Sequence, residues 1–279
     1  MKFSLVMPTK NRTAEVEEFL HSLEQQTYRK FELIVVDQNE DNRLEPIIKR
    51  YEQKFNIVHL RSETGLSLAR NKGLSIMTGD IVAFPDDDCK YPPILLEQIL
   101  ELSRKNSEYA GFTGQTLNDD FLPSHGKFDS SPGQLNKLNV WKRAISITIF
   151  LKREVIEKVG AFDETLGVGA NTPWGSGEET DFLIRALNSG YKLFYDPQII
   201  VLHPIAITEY NKAAFQRSYK YNSGMGRVLR KHNYPIWYVM YLFARPIAGM
   251  ALAILKGNVK KLPYNWNMLR GRIKGWVSI

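Results

Sequence analysis

Short apolar runs alternate along the chain with stretches whose apolar residues recur at helical spacing. Phe3 to Met7 and Glu32 to Val36 are such runs, and Val16, Phe19, Leu20 and Leu23 between them fall on one helical face, which predicts a strand, a helix and a second strand. Ile57 to Leu60 predicts another strand, Leu66 to Met77 a helix, and Ile81 to Phe84 a fourth strand. Pro92-Pro93 opens a helix through about Lys105, with Ile94, Leu95, Ile99 and Leu102 inward. Strands and helices alternating at these lengths imply an α/β fold: a Rossmann-like, mostly parallel sheet with right-handed crossovers and helices on both faces. Ligands of such sheets bind at the carboxyl ends of the strands. Pro8-Thr9, Asp37 and Asp86-Asp87-Asp88 all stand at those ends.

Residues 118 to 138 are rich in Asp, Ser, Gly, Pro and Asn without periodicity, the pattern of a long surface excursion that serves as a lid or an acceptor-binding element. Ile145 to Ile149 alternates like a half-buried strand, and a helix from Arg153 to Val159 ends at Gly160. Glu178 to Leu187 predicts a helix closed by Gly190, and Tyr191 to Tyr195 and Ile199 to Leu202 predict strands ending at His203-Pro204. After about Tyr210 the pattern changes. Arg217, Lys220, Arg227, Arg230 and Lys231 precede the apolar stretch Ile236 to Leu255, and Lys256, Lys260, Lys261, Arg270, Arg272 and Lys274 follow it. The stretch approaches bilayer-spanning length, but Arg245-Pro246 stands at its centre, where an arginine costs roughly 2.5 to 3.5 kcal/mol on insertion. Two domains are therefore expected: a sheet domain over 1–209 and a basic, apolar helical appendage over 210–279. The appendage matches a helical hairpin in an anionic membrane interface, with a buried helix pair, a homodimer contact or, least favoured, a true span as the alternatives.

The 279 residues, 43% hydrophobic and 24% charged, suit one large globular domain with an appendage. The formal net charge of +7 favours phosphates or an anionic membrane. No nucleic-acid motif accompanies it, so no nucleic-acid partner is expected. A lone cysteine, Cys89, excludes an internal disulfide and reads as a packing residue in a reducing compartment. The N-terminal apolar run is too short for a secretory signal and lacks a small-residue cleavage site, which places the expected location on the cytosolic side, peripheral on the inner face of the membrane.

Three adjacent carboxylates repel one another unless a cation lies between them. Side chains two apart on extended backbone point the same way, so Asp86 and Asp88 share a face while Asp87 looks elsewhere. That arrangement suits oxygen ligation of Mg²⁺ or Mn²⁺ carrying a diphosphate.

Four places in this order resemble the bacterial family 2 glycosyltransferases of the GT-A fold: Val6 to Arg12, Leu33 to Asp37, Phe84 to Asp88, and Gly175-Ser176-Gly177-Glu178-Glu179-Thr180-Asp181. The likeness runs over roughly residues 3 to 204. It implies an inverting enzyme that moves a sugar from a nucleoside diphosphate to a hydroxyl of a glycan or lipid-linked glycan, in surface polysaccharide synthesis. It also implies Asp88 as the direct metal ligand, Asp86 or Asp87 on the ribose and the metal's waters, and His203 near the metal or diphosphate. Nucleotide recognition would fall to Pro8, Thr9, Arg12, Asp37 and Arg70. The family takes its general base from an acidic pair at a helix start, here Glu178-Glu179, where aspartate is more usual second. Glu179 is the first choice, with Glu178 and Asp181 as competitors, and Trp174 is placed to stack on a sugar face. The competing readings are a sugar nucleotidyltransferase, although residues 8 to 12 lack the glycine its triphosphate loop needs, and a membrane-associated nucleotide- or glycan-binding scaffold without catalysis.

Overall fold

The computed structural model describes residues 1–124, 127–205 and 209–278. Strands form where the chain is apolar on both sides. β1 (Phe3–Thr9) and β2 (Phe31–Asp37) are buried along their whole length, as a strand covered on two faces requires. Between them, α1 (Ala14–Glu24) buries Val16, Phe19, Leu20 and Leu23. There follow α2 (Glu45–Tyr51), β3 (Asn56–Arg61), α3 (Leu66–Leu74), β4 (Ile81–Ala83), α4 (Leu95–Lys105), β5 (Gly111–Leu117), β6 (Gly133–Gln134), α5 (Val140–Arg143), β7 (Phe150–Lys152), α6 (Arg153–Val159), α7 (Glu178–Asn188), β8 (Leu193–Leu202), α8 (Lys212–Lys231), α9 (Ile236–Leu255) and α10 (Lys261–Val277).

The chain divides into two compact units. One comprises residues 1–64, 68–161 and 183–206, and the other 65–67, 162–182 and 207–279. The sequence placed a single boundary at residue 209, whereas these units interleave and residues 162–182 group with the C-terminal helices.

The first unit holds the sheet, in the order β3-β2-β1-β4-β7-β5-β8-β6. Phe3, Leu5 and Met7 of β1 and Leu33 and Val35 of β2 share one core with α1, α2 and α4. The opposite face is covered by α3, where a Cβ on Gly73 would meet Val6 Cγ1 at 2.4 Å. β3, β2, β1 and β4 run parallel, as does β5 with β8, but β7 is antiparallel to both its neighbours and β6 is antiparallel to β8. The sheet is thus mixed, since periodicity predicts a strand but not its direction.

Other differences are local. Ile145 to Ile149 is not a strand: a 3₁₀ turn occupies Ser146–Thr148, and β7 begins at Phe150. The two strands expected around Asp196 are one, β8, whose register with β5 shifts between Thr113 and Gln115. Gly114 sits at that shift, and a Cβ there would lie 2.1 Å from the Ile199 carbonyl oxygen. The excursion over 118–138 contributes β6, and its residues 125 and 126 lie outside the described residues.

A buried carboxylate ties the amino end of the sheet together. Glu32 accepts from Lys2 Nζ at 2.5 Å, Ser4 Oγ at 2.5 Å, Thr78 N at 2.7 Å and Thr78 Oγ1 at 2.8 Å. Burial alone would raise its pKa, but these donors outweigh burial and hold it below the usual carboxylate range. Its stabilisation is present above the unfolded value of about 4.3 and is lost as pH falls through the lower folded value. Glu32→Gln is expected to remove about 1–3 kcal/mol at neutral pH and to shrink that deficit as pH falls toward 3. Urea midpoints of the two proteins at about pH 7 and at about pH 3, on either side of the ordinary carboxylate value, check this; parallel curves would contradict it.

In the second unit α8 and α10 touch backbone to backbone. Cβ atoms on Gly271 and Gly275 would lie 2.4 and 1.9 Å from the carbonyl oxygens of Tyr219 and Ser223, the close approach that a small-xxx-small spacing permits. Arg272 is buried in this contact and donates from Nε to Asn222 Oδ1 at 2.8 Å and from Nη1 to the Leu242 carbonyl. Burial, with Arg245 nearby, pushes Arg272 down to about 10.

Candidate active site

Parallel register carries three sequence signals to one edge of the first unit's sheet. Thr9 is paired with Asp37 and Asp37 with Arg61, while Ala83 at the end of β4 pairs with Leu5. The strand stops at Ala83, and Asp86, Asp87 and Asp88 sit on a turn closed by the Cys89 N–H donating to the Asp86 carbonyl at 3.4 Å. The turn, rather than the alternation of an extended strand, sets their directions. Past it, Lys90 and Leu202 exchange backbone hydrogen bonds at 2.8 and 3.0 Å, which brings the end of β8 beside the acidic turn.

His203 follows directly. Its Nδ1 donates to the Pro204 carbonyl at 2.6 Å, and that bond turns Nε2 toward Asp88 Oδ1, 3.1 Å away. Asp86, Asp88 and His203 each present one ligand atom, all within 4.8 Å of one another, a group able to hold a metal ion. Asp87 points elsewhere, to Arg12 Nη1 at 2.7 Å, and Arg12 also reaches Asp88 Oδ2 at 2.5 Å. Arg70, completely buried, donates to Asp86 Oδ1 at 3.2 Å. A fully buried guanidinium beside a carboxylate is an ion-pair geometry, not a solvated arginine.

The carboxylates titrate apart. Burial raises Asp86 against the pull of Arg70 and lifts Asp87 to about 6 against Thr9 and Arg12. Asp88 goes the other way: burial would raise it, but His203 and Arg12 hold it down at about 2. Burial works against the charges of Arg12 and His203 too, and their acidic neighbours overcome it and raise both. Cys89 is buried, with its thiol donating to the Asp86 carbonyl at 3.1 Å.

Asp37 is fully buried at the end of β2. Its Oδ1 accepts from Asn39 N and Nδ2 at 2.8 and 2.7 Å, and its Oδ2 faces His59 Nε2 and Arg61 Nη1, both at 2.9 Å. Sequence reasoning missed these partners, although His59 and Arg61 close the adjacent strand and alternate toward one side of it.

In the second unit the segment before α7 is built on α8. Gly175 N donates to the Lys220 carbonyl at 3.1 Å and Ser176 Oγ to the Tyr221 carbonyl at 2.7 Å. A Cβ on Gly177, where φ is +92°, would lie 2.9 Å from Val228. The guanidinium of Arg227 lies 4.5 Å from the ring centroid of Trp174. The three acids of the first helical turn have different surroundings. Asp181 is fully buried and meets Lys231 Nζ at 2.7 Å and His232 Nε2 at 2.8 Å. Glu178 is buried, and a Cβ on Gly167 would lie 3.2 Å from its Oε2. Glu179 is partly exposed. Lys231 also pairs with Asp163 at 2.6 Å, so it joins two acids in one network. Lys231 and His232 lie about fifty residues from Asp181, beyond the reach of local pattern.

The family model described as glycosyl transferase family 2 matches residues 4–160. The chain belongs to glycosyl transferase family 2. Among curated relatives of this glycosyltransferase, Glycosyltransferase AglE of Haloferax volcanii is 25% identical over 270 residues, covering 94% of this chain and 82% of AglE. The putative teichuronic acid biosynthesis glycosyltransferase TuaG of Bacillus subtilis is 30% identical over 156 residues, 54% of this chain and 62% of TuaG. Among solved structures, mannosyltransferase PcManGT from Pyrobaculum calidifontis, in complex with GDP-Man and Mn²⁺, superposes with a TM-score of 0.70 at 18% identity over 98% of this chain and 86% of its own. S. aureus TarS 1–349 in complex with UDP-GlcNAc gives 0.58 at 17% identity over 98% and 91%. These likenesses establish the GT-A fold.

Proposed function

We propose that this family 2 glycosyltransferase is an inverting, metal-dependent enzyme that moves a hexosyl unit from a nucleoside diphosphate to a hydroxyl of a glycan or lipid-linked glycan during surface polysaccharide synthesis. The observation that carries the reading is the Asp86, Asp88 and His203 group. Two carboxylate oxygens and an imidazole oriented by a backbone carbonyl fit a divalent cation, and the nitrogen favours Mn²⁺ over Mg²⁺. The neighbour solved with GDP-Man and Mn²⁺ supports the same choice. Bound there, the cation would supply the Lewis acid that offsets charge growing on the leaving diphosphate.

The protein's own groups do the rest. Arg12 and Arg70 place fixed positive charge at the triplet, from Nη atoms that an incoming phosphate can share. Pro8, Thr9 and the end of β2 line the edge where base and ribose are read, with Asp37 holding Asn39, His59 and Arg61 in place there. Asp87, turned to Arg12, is assigned to the donor rather than to the cation. Glu179 takes the proton of the acceptor hydroxyl, its partial exposure giving it the access that Glu178 and Asp181 lack. Trp174 borders the sugar-binding segment with one ring face against Arg227. The exposed apolar surface of α9 supports a peripheral place on the cytoplasmic face of the membrane, where a lipid-linked acceptor is presented.

The test is release of nucleoside diphosphate from a panel of nucleotide sugars with acceptor and Mn²⁺. Turnover of one donor class is expected; donor binding without turnover of any member would favour the scaffold reading.

A further inference from the structure

Helix α9 is packed along one line and bare along the rest. Tyr238, Val239, Leu242, Pro246 and Ala253 are buried, and Gly249 lies against Asn265 of α10. The remaining surface carries Trp237, Met240, Tyr241, Ile247, Leu252 and Leu255, each at least half exposed. Over 20 residues this is an apolar stripe about 30 Å long, broken by a single charge, Arg245.

The charge around the stripe has one sign. Glu209 is the last acidic residue of the chain, and 13 Lys and Arg follow it, so the last 70 residues carry +13 while the preceding 209 carry −6. Lys261, Arg270 and Arg230 lie over the rings of Tyr210, Tyr219 and Trp276, stacking that leaves their charge uncancelled.

We infer that α9 lies in the plane of an anionic lipid interface, with the stripe from Trp237 to Leu255 among the acyl chains and Arg245, Lys256, Lys260 and Lys261 at the headgroups. This rests on the peripheral placement proposed above and specifies its surface. The alternatives fit less well. A second copy would bring another +13 segment against the first, and like charge opposes that contact. A crossing would drag α10, which is pinned to α9 through Arg272 and carries Lys261, Arg270, Arg272 and Lys274, into hydrocarbon. In the interface Arg245 reaches the headgroups along its own stem, and an anion there relieves its repulsion of Arg272.

The test is flotation of the full chain with vesicles containing phosphatidylglycerol, or with vesicles of phosphatidylcholine alone. The wild type is expected to float with the first and not the second. Trp237→Glu/Met240→Glu, at two exposed positions, is expected to weaken flotation by about tenfold or more, and Lys256→Gln/Lys260→Gln/Lys261→Gln to weaken it in low salt. Circular dichroism of both variants should match the wild type. Absence of flotation with anionic vesicles, flotation indifferent to the stripe variant, resistance to alkaline carbonate extraction, or a dimer in sedimentation that the stripe variant dissociates would each overturn the inference. Flotation needs no turnover, so its failure is separable from failure of the catalytic reading, which diphosphate release in vesicle-free solution reports.

Discussion

Asp88→Asn is expected to lower kcat by about 10²–10³ while the protein stays folded. Asn has the same shape, so the turn after β4 is preserved, and an amide oxygen still accepts one bond from Arg12 or His203. What disappears is the charge. With Asp88 held at about 2, this carboxylate is ionised at every physiological pH, and it faces both His203 and Arg12. It is therefore the permanent anion of the group proposed to hold the cation. Asn contributes at most one neutral oxygen, and the loss of stability is limited to about 1–2 kcal/mol of hydrogen bonding in a site that keeps Asp86 and Asp87 for its arginines. Steady-state diphosphate release across a Mn²⁺ series checks both halves: the variant should be slow and should need more Mn²⁺. Turnover within a few-fold of wild type at the same metal concentration would remove Asp88 from the site.

Glu179→Gln is the second large effect, an expected fall in kcat of about 10²–10⁴ with donor affinity nearly unchanged. The substitution keeps size and hydrogen-bonding shape but cannot take a proton. The neighbouring acids make the experiment decisive because their surroundings predict different phenotypes. Asp181 is fully buried against Lys231 and His232, so Asp181→Asn should act first on stability, by about 1.5–3 kcal/mol as the buried carboxylate's charge-assisted bonds to the solvent-exposed Lys231 and to His232 are lost. Its urea midpoint should fall where that of Glu179→Gln does not. Should Glu178→Gln abolish turnover while Glu179→Gln retains it, the base is Glu178.

The parts of this molecule visible in its sequence are those with a local cause. β1, β2 and α1 announce themselves because a strand buried on both faces must be apolar throughout and a helix buried on one face must repeat its apolar residues. The acidic triplet is equally plain, because three carboxylates after a buried strand need cations. β5 is hidden because its run, Gly111 to Leu117, contains two glycines where packing leaves no room for a side chain. The direction of β7 has no local signature. Arg70 is expected at the nucleotide, but its complete burial and its bond to Asp86, sixteen positions away, have no local signature. The second unit is least legible: α8 supports the glycine-rich segment before Glu178 through backbone contacts that depend on small residues at Gly175, Gly177 and Gly224, and its end supplies Lys231 and His232 to Asp181. Basic and apolar composition marked that region as a membrane-facing appendage and concealed its part in shaping the acidic segment.

Calorimetric titration of nucleotide sugars into the wild-type protein, once with Mn²⁺ and once with excess chelator, tests the central claim most directly. If Asp86, Asp88 and His203 hold a cation that meets the donor's diphosphate, one donor should bind with Mn²⁺ and lose at least about tenfold in affinity, roughly 1.4 kcal/mol, in chelator. Equal affinity under both conditions would contradict it.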